Sequence, residues 1–367
     1  MKYVDEFRTL PRVKKLAQAI QRLARDRAFT FMEVCGSHTH SFARFGLKKL
    51  IPPAVRLISG PGCPVCVSDQ EYIDTAIWYA QQPDTVITTF GDMIRVPGTR
   101  SSLEEERSAG ADVRIVYSPE DAVTVAAENP GKKIIFLAVG FETTAPAIAL
   151  SILKARQEKC ANIFFFTALK KIIPGMMFIM RKKQVRLDGF LCPGHVSAII
   201  GVDVYKNLAE KHHISCCVAG FEPTDILEGI YMLLQQALAK KPTVTNQYGR
   251  VVVAGGNNRA QRIIEEVFFP SDESWRGLGT IRRSGLRIRP AFAGFDACKK
   301  IKPPPQKKFL PALQRQCRCG DVLAGLLRPP ECSLFARRCT PDKPVGPCMI
   351  SAEGACHASY RFEQQCR

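Results

Sequence analysis

Short runs of β-branched and aromatic residues alternate with helix-length stretches through most of this chain, and that alternation constrains its fold most. The runs are Phe29 to Val34, Thr85 to Thr89, Val113 to Tyr117, Ile134 to Val139, Ile163 to Phe166 and Cys216 to Ala219. Strands interleaved with helices predict parallel sheets covered by helices. Two segments 80 residues apart echo each other, Val139-Gly140-Phe141-Glu142-Thr143-Thr144 and Ala219-Gly220-Phe221-Glu222-Pro223-Thr224. Each reads as a buried strand, then Gly-Phe-Glu, then a helix N-terminus, which points to repeated strand-turn-helix construction. In open α/β folds ligands gather at strand C-termini, so these turns are where function is expected.

At 367 residues, with 46% hydrophobic content, the chain is long enough for two or three compact units. Leu10, Val13, Leu16, Ala17, Ile20 and Leu23 recur at helical spacing, so it opens with an amphipathic helix expected to pack on a later domain. No apolar run approaches the roughly 18 residues of a membrane helix, and Met1 to Glu6 lacks the apolar core of a signal peptide. The expected location is cytoplasmic, with no membrane partner. The basic, proline-rich stretch Lys299 to Lys308 reads as a linker, neither helix nor strand interior.

Fifteen cysteines in a reducing compartment argue for metal binding or thiol chemistry over a disulfide framework. Seven of them lie between Cys317 and Cys366, in a stretch poor in periodicity and rich in Pro and Gly. That composition predicts a small unit organised by metal more than by a core. Cys160 and the Cys216-Cys217 pair sit in apolar runs and read as small core residues. In the tail, Cys319, Cys332, Cys339 and Cys356 are separated by twelve, six and sixteen residues, with Cys317 an alternative first member and Cys348 and Cys366 surplus to a four-ligand site. Four soft thiolates suit Zn²⁺ or an iron–sulfur cluster, and spacing alone leaves both open.

Three further constellations carry chemistry. In Gly60-Pro61-Gly62-Cys63-Pro64-Val65-Cys66 two thiols two residues apart can close a disulfide or share a metal. The preceding Gly and Pro suggest a tight turn into a helix, whose N-terminus would lower the cysteine pKa and favour thiol–disulfide exchange. Cys35 ends an apolar strand with His38 and His40 just beyond, a thiol beside imidazoles that can act as nucleophile, as metal ligand or as a plain core cysteine. Asp92, Glu142, His195 and Glu222 stand at strand ends or turns, where each is either functional or a helix cap. No glycine-rich phosphate-binding spacing supports a nucleotide enzyme. The net charge of +18 is scattered, with short clusters such as Arg181-Lys182-Lys183 and no basic helix, aromatic platform or zinc-finger spacing, so no nucleic-acid partner is expected. An acidic protein partner fits the charge.

Taken together in order, Cys35-Gly-Ser-His-Thr, Gly60-Pro-Gly-Cys-Pro-Val-Cys66, Phe90-Gly-Asp-Met with Arg95-Val-Pro-Gly98, Gly140-Phe-Glu-Thr-Thr144, Pro193-Gly-His-Val-Ser197, Trp275-Arg-Gly-Leu-Gly279, Cys319-Gly320 and Glu353-Gly-Ala-Cys356 resemble the HypD family of [NiFe]-hydrogenase maturation proteins across essentially the whole chain. The resemblance implies an α/β fold of two similar Rossmann-like parallel-sheet domains plus a small cysteine-rich iron–sulfur domain. The corresponding division is 1–28 as the N-terminal helix, 29–128 as domain I, 129–265 as domain II and 266–367 as the iron–sulfur domain.

The resemblance further implies a redox-active assembly scaffold, not a metabolic enzyme. On it, with a HypC-type small chaperone, iron receives its cyanide and carbon monoxide ligands, the cyanide coming from a HypE-type donor. Cys35 matches the cysteine that binds the nascent iron, with His38 in or beside its ligand shell. Cys63 and Cys66 match the redox pair, and Cys319, Cys332, Cys339 and Cys356 would ligate a 4Fe-4S cluster. Asp92, His195 and Glu353 match polar family positions as candidates for proton handling or docking. Thr167 to Lys171 lacks a histidine belonging to the family pattern there. The alternative function is a general thiol–disulfide oxidoreductase with a structural zinc tail.

Overall fold

The structure, a computed structural model, describes residues 5–25, 27–182, 184–305 and 310–363. Met1–Val4, Lys183, Gln306–Lys308 of the expected linker, and Cys366 lie outside the described residues.

Among the described residues, eleven strands form two sheets. They are β1 (Phe29–Glu33), β2 (Val55–Ser59), β3 (Thr85–Thr89), β4 (Asp112–Ile115), β5 (Lys133–Gly140), β6 (Ile163–Lys170), β7 (Gly189–Pro193), β8 (Ser215–Ala219), β9 (Val244–Asn246), β10 (Phe268–Trp275) and β11 (Gly279–Ile288). The first sheet runs β2-β1-β7-β8-β9, parallel throughout. The second runs β10-β11-β6-β5-β3-β4, with β6 to β4 parallel and the β10–β11 hairpin added antiparallel to β6. Both central regions are apolar on both faces, as parallel strands covered by helices must be: Ile134 to Ala138 and Cys216 to Ala219 are almost fully buried. The Rossmann-like α/β architecture expected from the sequence is present.

Chain order and sheet membership diverge from the expected division. The first sheet takes β1 and β2 from before residue 60 and β7 to β9 from after residue 188, while the second takes everything between and the later hairpin. Boundaries at 128/129 and 265/266 therefore do not separate the sheets. The cause is register: β1 pairs with β7, Phe31 opposite Gly189 and Glu33 opposite Leu191, so the chain returns to its first sheet only after completing four strands of the second.

Helix α1 (Leu10–Ala24) packs on the helix Pro223–Ala239 that covers the first sheet. Val13, Ile20 and Ala24 join Phe29, Phe31, Leu227, Ile230 and Leu234 in one apolar cluster, and bidentate Arg8 on Glu222 anchors the segment before α1. Among the described residues the tail likewise has no core of its own. Val322, Leu323, Leu334, Phe335, Val345 and Met349 belong to the same buried cluster as Met32, Val34 and Ile172, so the tail is organised on the sheets and not by metal alone. The first two residues of the expected linker, Lys299 and Lys300, end a short helix, Ala297–Lys300, capped by the Asp296 carboxylate, which accepts from the Cys298 N–H at 3.0 Å.

If α1 is part of the core, Ile20→Ala should cost about 2–5 kcal/mol in urea unfolding, the range for truncating a fully buried isoleucine. A loss below about 0.5 kcal/mol would show α1 to be an appendage.

Candidate functional site

The site begins where β1 ends. Glu33 closes the strand, Cys35 is the N-cap residue of α2 (Gly36–Arg44), and the turn between them is held by the Glu33 carboxylate, which accepts from the Cys35 N–H at 3.0 Å and from the Thr39 hydroxyl. This carboxylate is buried, and desolvation pushes its pKa up to about 8 against the opposing hydrogen bonds. Burial likewise raises the Cys35 thiol, to about 12, with the nearby Glu353 and Glu33 charges acting in the same direction. Cys35 therefore rests as a neutral thiol, a weak nucleophile that must lose its proton before it can ligate a metal.

His38 follows one turn later and is fully buried. Its Nε2 lies 3.1 Å from the Ala219 carbonyl and 2.9 Å from that of Gly220, and two carbonyl acceptors require Nε2 to carry the proton. Nδ1 is then the lone-pair nitrogen, and it has no partner among the described residues. Burial pulls the His38 pKa down to about 4, so the ring is neutral at physiological pH. Phe221 packs against His38 at a centroid distance of 4.8 Å and against exposed His195 at 3.9 Å, which puts His195 on the outer side of the same aromatic stack.

The Cys63–Cys66 turn presses on this strand end from one side. Gly60 N–H donates to the Glu33 carbonyl at 2.8 Å, and Gly36 N–H donates to the Gly62 carbonyl at 3.2 Å. A Cβ on Gly62 would collide with the Cys35 backbone, so only glycine permits this approach. Cys63 and Cys66 are buried and joined as a disulfide with Cα atoms 5.2 Å apart. The expected helix N-terminus is not there. The pair lies in a turn closed by Val67 N–H on the Cys63 carbonyl, and α3 starts later, at Gln70–Ala80. Ser68 bridges to Trp275, and Arg276 N–H donates to the Val67 carbonyl, which pulls the chain out of helical geometry after Cys66.

From the other side comes the tail. Ser37 donates to the Glu353 carboxylate at 2.6 Å, Ser351 donates to Asp92 at 2.7 Å, and His40 Nδ1 meets the Ala352 carbonyl at 3.1 Å. Asp92 and Glu353, far apart in sequence, thus stand on one hydroxyl-linked chain beside Cys35, and burial followed by the Asp92 charge raises the Glu353 pKa. Cys35, His38, Cys63, Cys66, Asp92 and Glu353 come together, with His195 at the rim. Glu142 and Glu222 do not join them. Glu142 caps the helix Ile172–Met180, accepting from Ile172 N–H at 3.0 and 3.2 Å, and Glu222 caps Pro223–Ala239. Glu33, Ser37 and Ser351 were absent from the sequence candidates. Glu33 had one visible signal, a carboxylate inside an otherwise apolar strand.

Cys317, Cys319, Cys332, Cys339 and Cys356 line a single cavity of about 20 Å³ with Val322, Leu334, Phe335 and Met349. Cys319 is the hub. Hydrogen bonds from Cys317, Cys348 and Cys356 lower its pKa well below the usual thiol range, with Cys317 Sγ 3.2 Å away. Cys348 is thus a fully buried neighbour of the set and not a bystander. Among the described residues no three His, Cys, Asp or Glu side chains converge on a ready-made single-ion site. The donor chemistry, soft thiols in an apolar pocket, still fits a sulfur-rich cluster. The cavity adjoins the disulfide, since Cys66 Sγ is 3.9 Å from the carbonyl of Pro347, the residue before Cys348.

Residues 11–363 match the HypD family, described as the hydrogenase formation hypA family. The chain is 43% identical to the hydrogenase maturation factor HypD of Escherichia coli strain K12, across 100% of this chain and 99% of that protein. It is 42% identical to the HypD of Rhodobacter capsulatus, across 99% and 98% respectively. To a putative hydrogenase expression/formation protein of Methanocaldococcus jannaschii it is 41% identical across 97% of each chain.

Burial raises the Glu142 pKa from 4.5 to about 7. The stability that its protonated form contributes is complete below about pH 4.5 and disappears as pH rises through 7. Glu142→Gln, neutral at every pH, should therefore lose less stability than the parent between pH 5 and 8, by up to about 3 kcal/mol. Urea unfolding at both pH values tests this, and identical slopes in the two proteins would refute it.

Proposed function

This chain belongs to the HypD family of hydrogenase formation proteins, and from that membership we propose that it is a hydrogenase maturation factor on which the Fe(CN)2CO unit of a [NiFe]-hydrogenase is assembled. The observation that carries the reading is the backbone contact between the Cys63–Cys66 turn and the Cys35 turn, Gly36 N–H to Gly62 carbonyl, which sets an oxidisable cysteine pair against a buried, metal-competent thiol.

In this reading a HypC-type chaperone docks over the Cys35 turn and the cargo iron is held between Cys35 and a cysteine of the chaperone. Because the Cys35 pKa sits near 12, loading iron must expel the thiol proton. The buried Nδ1 lone pair of His38 lies one helical turn away, in or beside the iron's ligand shell. Asp92, Ser351, Glu353 and Ser37 form the polar rim for proton handling or docking, with His195 outside it.

Cyanide reaches the iron from the thiocyanate group of a HypE-type carrier. Two electrons are needed. The carrier S–C bond breaks, the thiols of Cys63 and Cys66 give up two protons, their S–S bond forms, and the products are carrier thiol and one equivalent of HCN as iron-bound cyanide plus a proton. The disulfide is the spent form of the pair. Cys319, Cys332, Cys339 and Cys356 would hold a 4Fe-4S cluster, which when bound supplies electrons that return the pair to the dithiol. The Pro347 carbonyl, 3.9 Å from Cys66 Sγ, puts the tail in contact with the disulfide.

The full-length protein, purified without oxygen together with its small partner from a maturing strain, should show infrared stretches of metal-bound cyanide and carbon monoxide. Cys35→Ser should abolish both sets of bands, and Cys63→Ser should abolish the cyanide bands. No bands in the parent complex, or full bands in Cys35→Ser, would overturn the assignment. Zinc in place of iron–sulfur absorption would overturn the cluster.

A further inference from the structure

Arg276 follows the β10 strand end and lies between the two thiol centres. Its backbone N–H donates to the Val67 carbonyl at 2.9 Å, directly after the Cys63–Cys66 pair. The next residue, Gly277, packs backbone to backbone on Gly320, which follows Cys319, and a Cβ at either glycine would collide with the other. One Arg276 nitrogen, Nη2, donates to the Gln70 side chain at 2.5 Å. The other, Nη1, is buried and has no partner among the described residues. No carboxylate among the described residues forms an ion pair with this guanidinium. Arg318, which also lines the tail cavity, is different, since Asp321 neutralises it.

A desolvated guanidinium N–H without an acceptor is costly to keep, and the cost vanishes if an anionic acceptor arrives. The cysteines beside Gly320 supply that acceptor once they are ionised by metal. Arg276 lies within electrostatic reach of Cys317, which lines the same cavity as Cys319.

We infer that Arg276 is a positioning residue for the tail's sulfur-ligated centre, aiming an unpaired positive charge and a free N–H at its sulfur atoms and so raising the centre's reduction potential. This rests on the cluster reading above. One-electron reduction adds one negative charge to the centre and leaves its ligands unchanged. A fixed cation in a low-dielectric pocket stabilises the reduced form more than the oxidised form, and N–H donation to sulfur acts in the same direction. Since Arg276 also pins Val67, its position is shared by the dithiol turn and the tail.

The test is a spectroelectrochemical titration of the cluster in the full-length protein, purified without oxygen, for the parent, Arg276→Lys and Arg276→Gln. The expected result is a more negative midpoint potential in Arg276→Gln at unchanged iron and sulfide content, with Arg276→Lys close to the parent. Loss of the cluster from Arg276→Gln but not from Arg276→Lys also supports the inference, since only the charge separates them. An unchanged potential in Arg276→Gln overturns it, as does loss of the cluster from both variants. A parent protein without an iron–sulfur signal overturns the cluster reading instead.

Discussion

The structure depends on a backbone approach that only glycine allows. Gly60 and Gly62 lay the Cys63–Cys66 turn on the end of β1, with Gly62 against the Cys35 backbone, and Gly36 leaves room for Glu353 on the opposite side. Three missing side chains let three distant segments share one small volume. Replacing any of them would separate the thiol at Cys35 from the disulfide or from the tail carboxylate. The rest of the fold supplies stiffness behind this contact: β1 is flanked by β2 and β7, and α2 is tied to the tail through Ser37 and His40.

Burial then decides the chemistry. Cys35, Glu33 and His38 are all held in their neutral forms because desolvation outweighs the hydrogen bonds that would favour charge on the carboxylate and the ring. With the Glu33 carboxyl and the Cys35 thiol neutral, the disulfide turn packs against this strand end without charge repulsion from them. The tail follows the reverse logic. Cys319, surrounded by thiol donors, is biased toward thiolate, and Arg276, which has no ion pair among the described residues, lies near Cys317. Val34 next to Cys35, the disulfide, and Cys319, Cys339, Cys348 and Cys356 of the tail share one buried apolar cluster, which also explains why the tail is packed on the sheets.

Much of this was legible in the sequence. Strands of β-branched and aromatic residues at 29–34, 85–89, 134–139 and 216–219 appear where the composition placed them, because local propensity and two-sided burial agree there. Less visible were β2, β7, β9 and the β10–β11 hairpin. Phe268–Trp275 carries Pro270, Asp272 and Glu273 and alternates exposed with partly buried positions, so it lacks the apolar run that marks a central strand. The Cys63–Cys66 turn was misread as a helix start because its Gly-Pro prelude suits one. The bridge from Ser68 to Trp275, more than two hundred residues away, overrides that local preference.

By itself the sequence determined the fold class, the family and which side chains are chemically capable, since strand periodicity, cysteine spacing and ordered motifs are local properties of the chain. Tertiary structure alone decided which of them meet. It split the first sheet across residues 29–59 and 189–246, retired Glu142 and Glu222 to helix caps, and brought Asp92, Glu353 and Cys63–Cys66 around Cys35. It also buried the Glu33 carboxylate against the Cys35 N–H and left one Arg276 nitrogen buried with no partner among the described residues. Burial and neighbour identity arise from non-local packing, which no single stretch of sequence encodes.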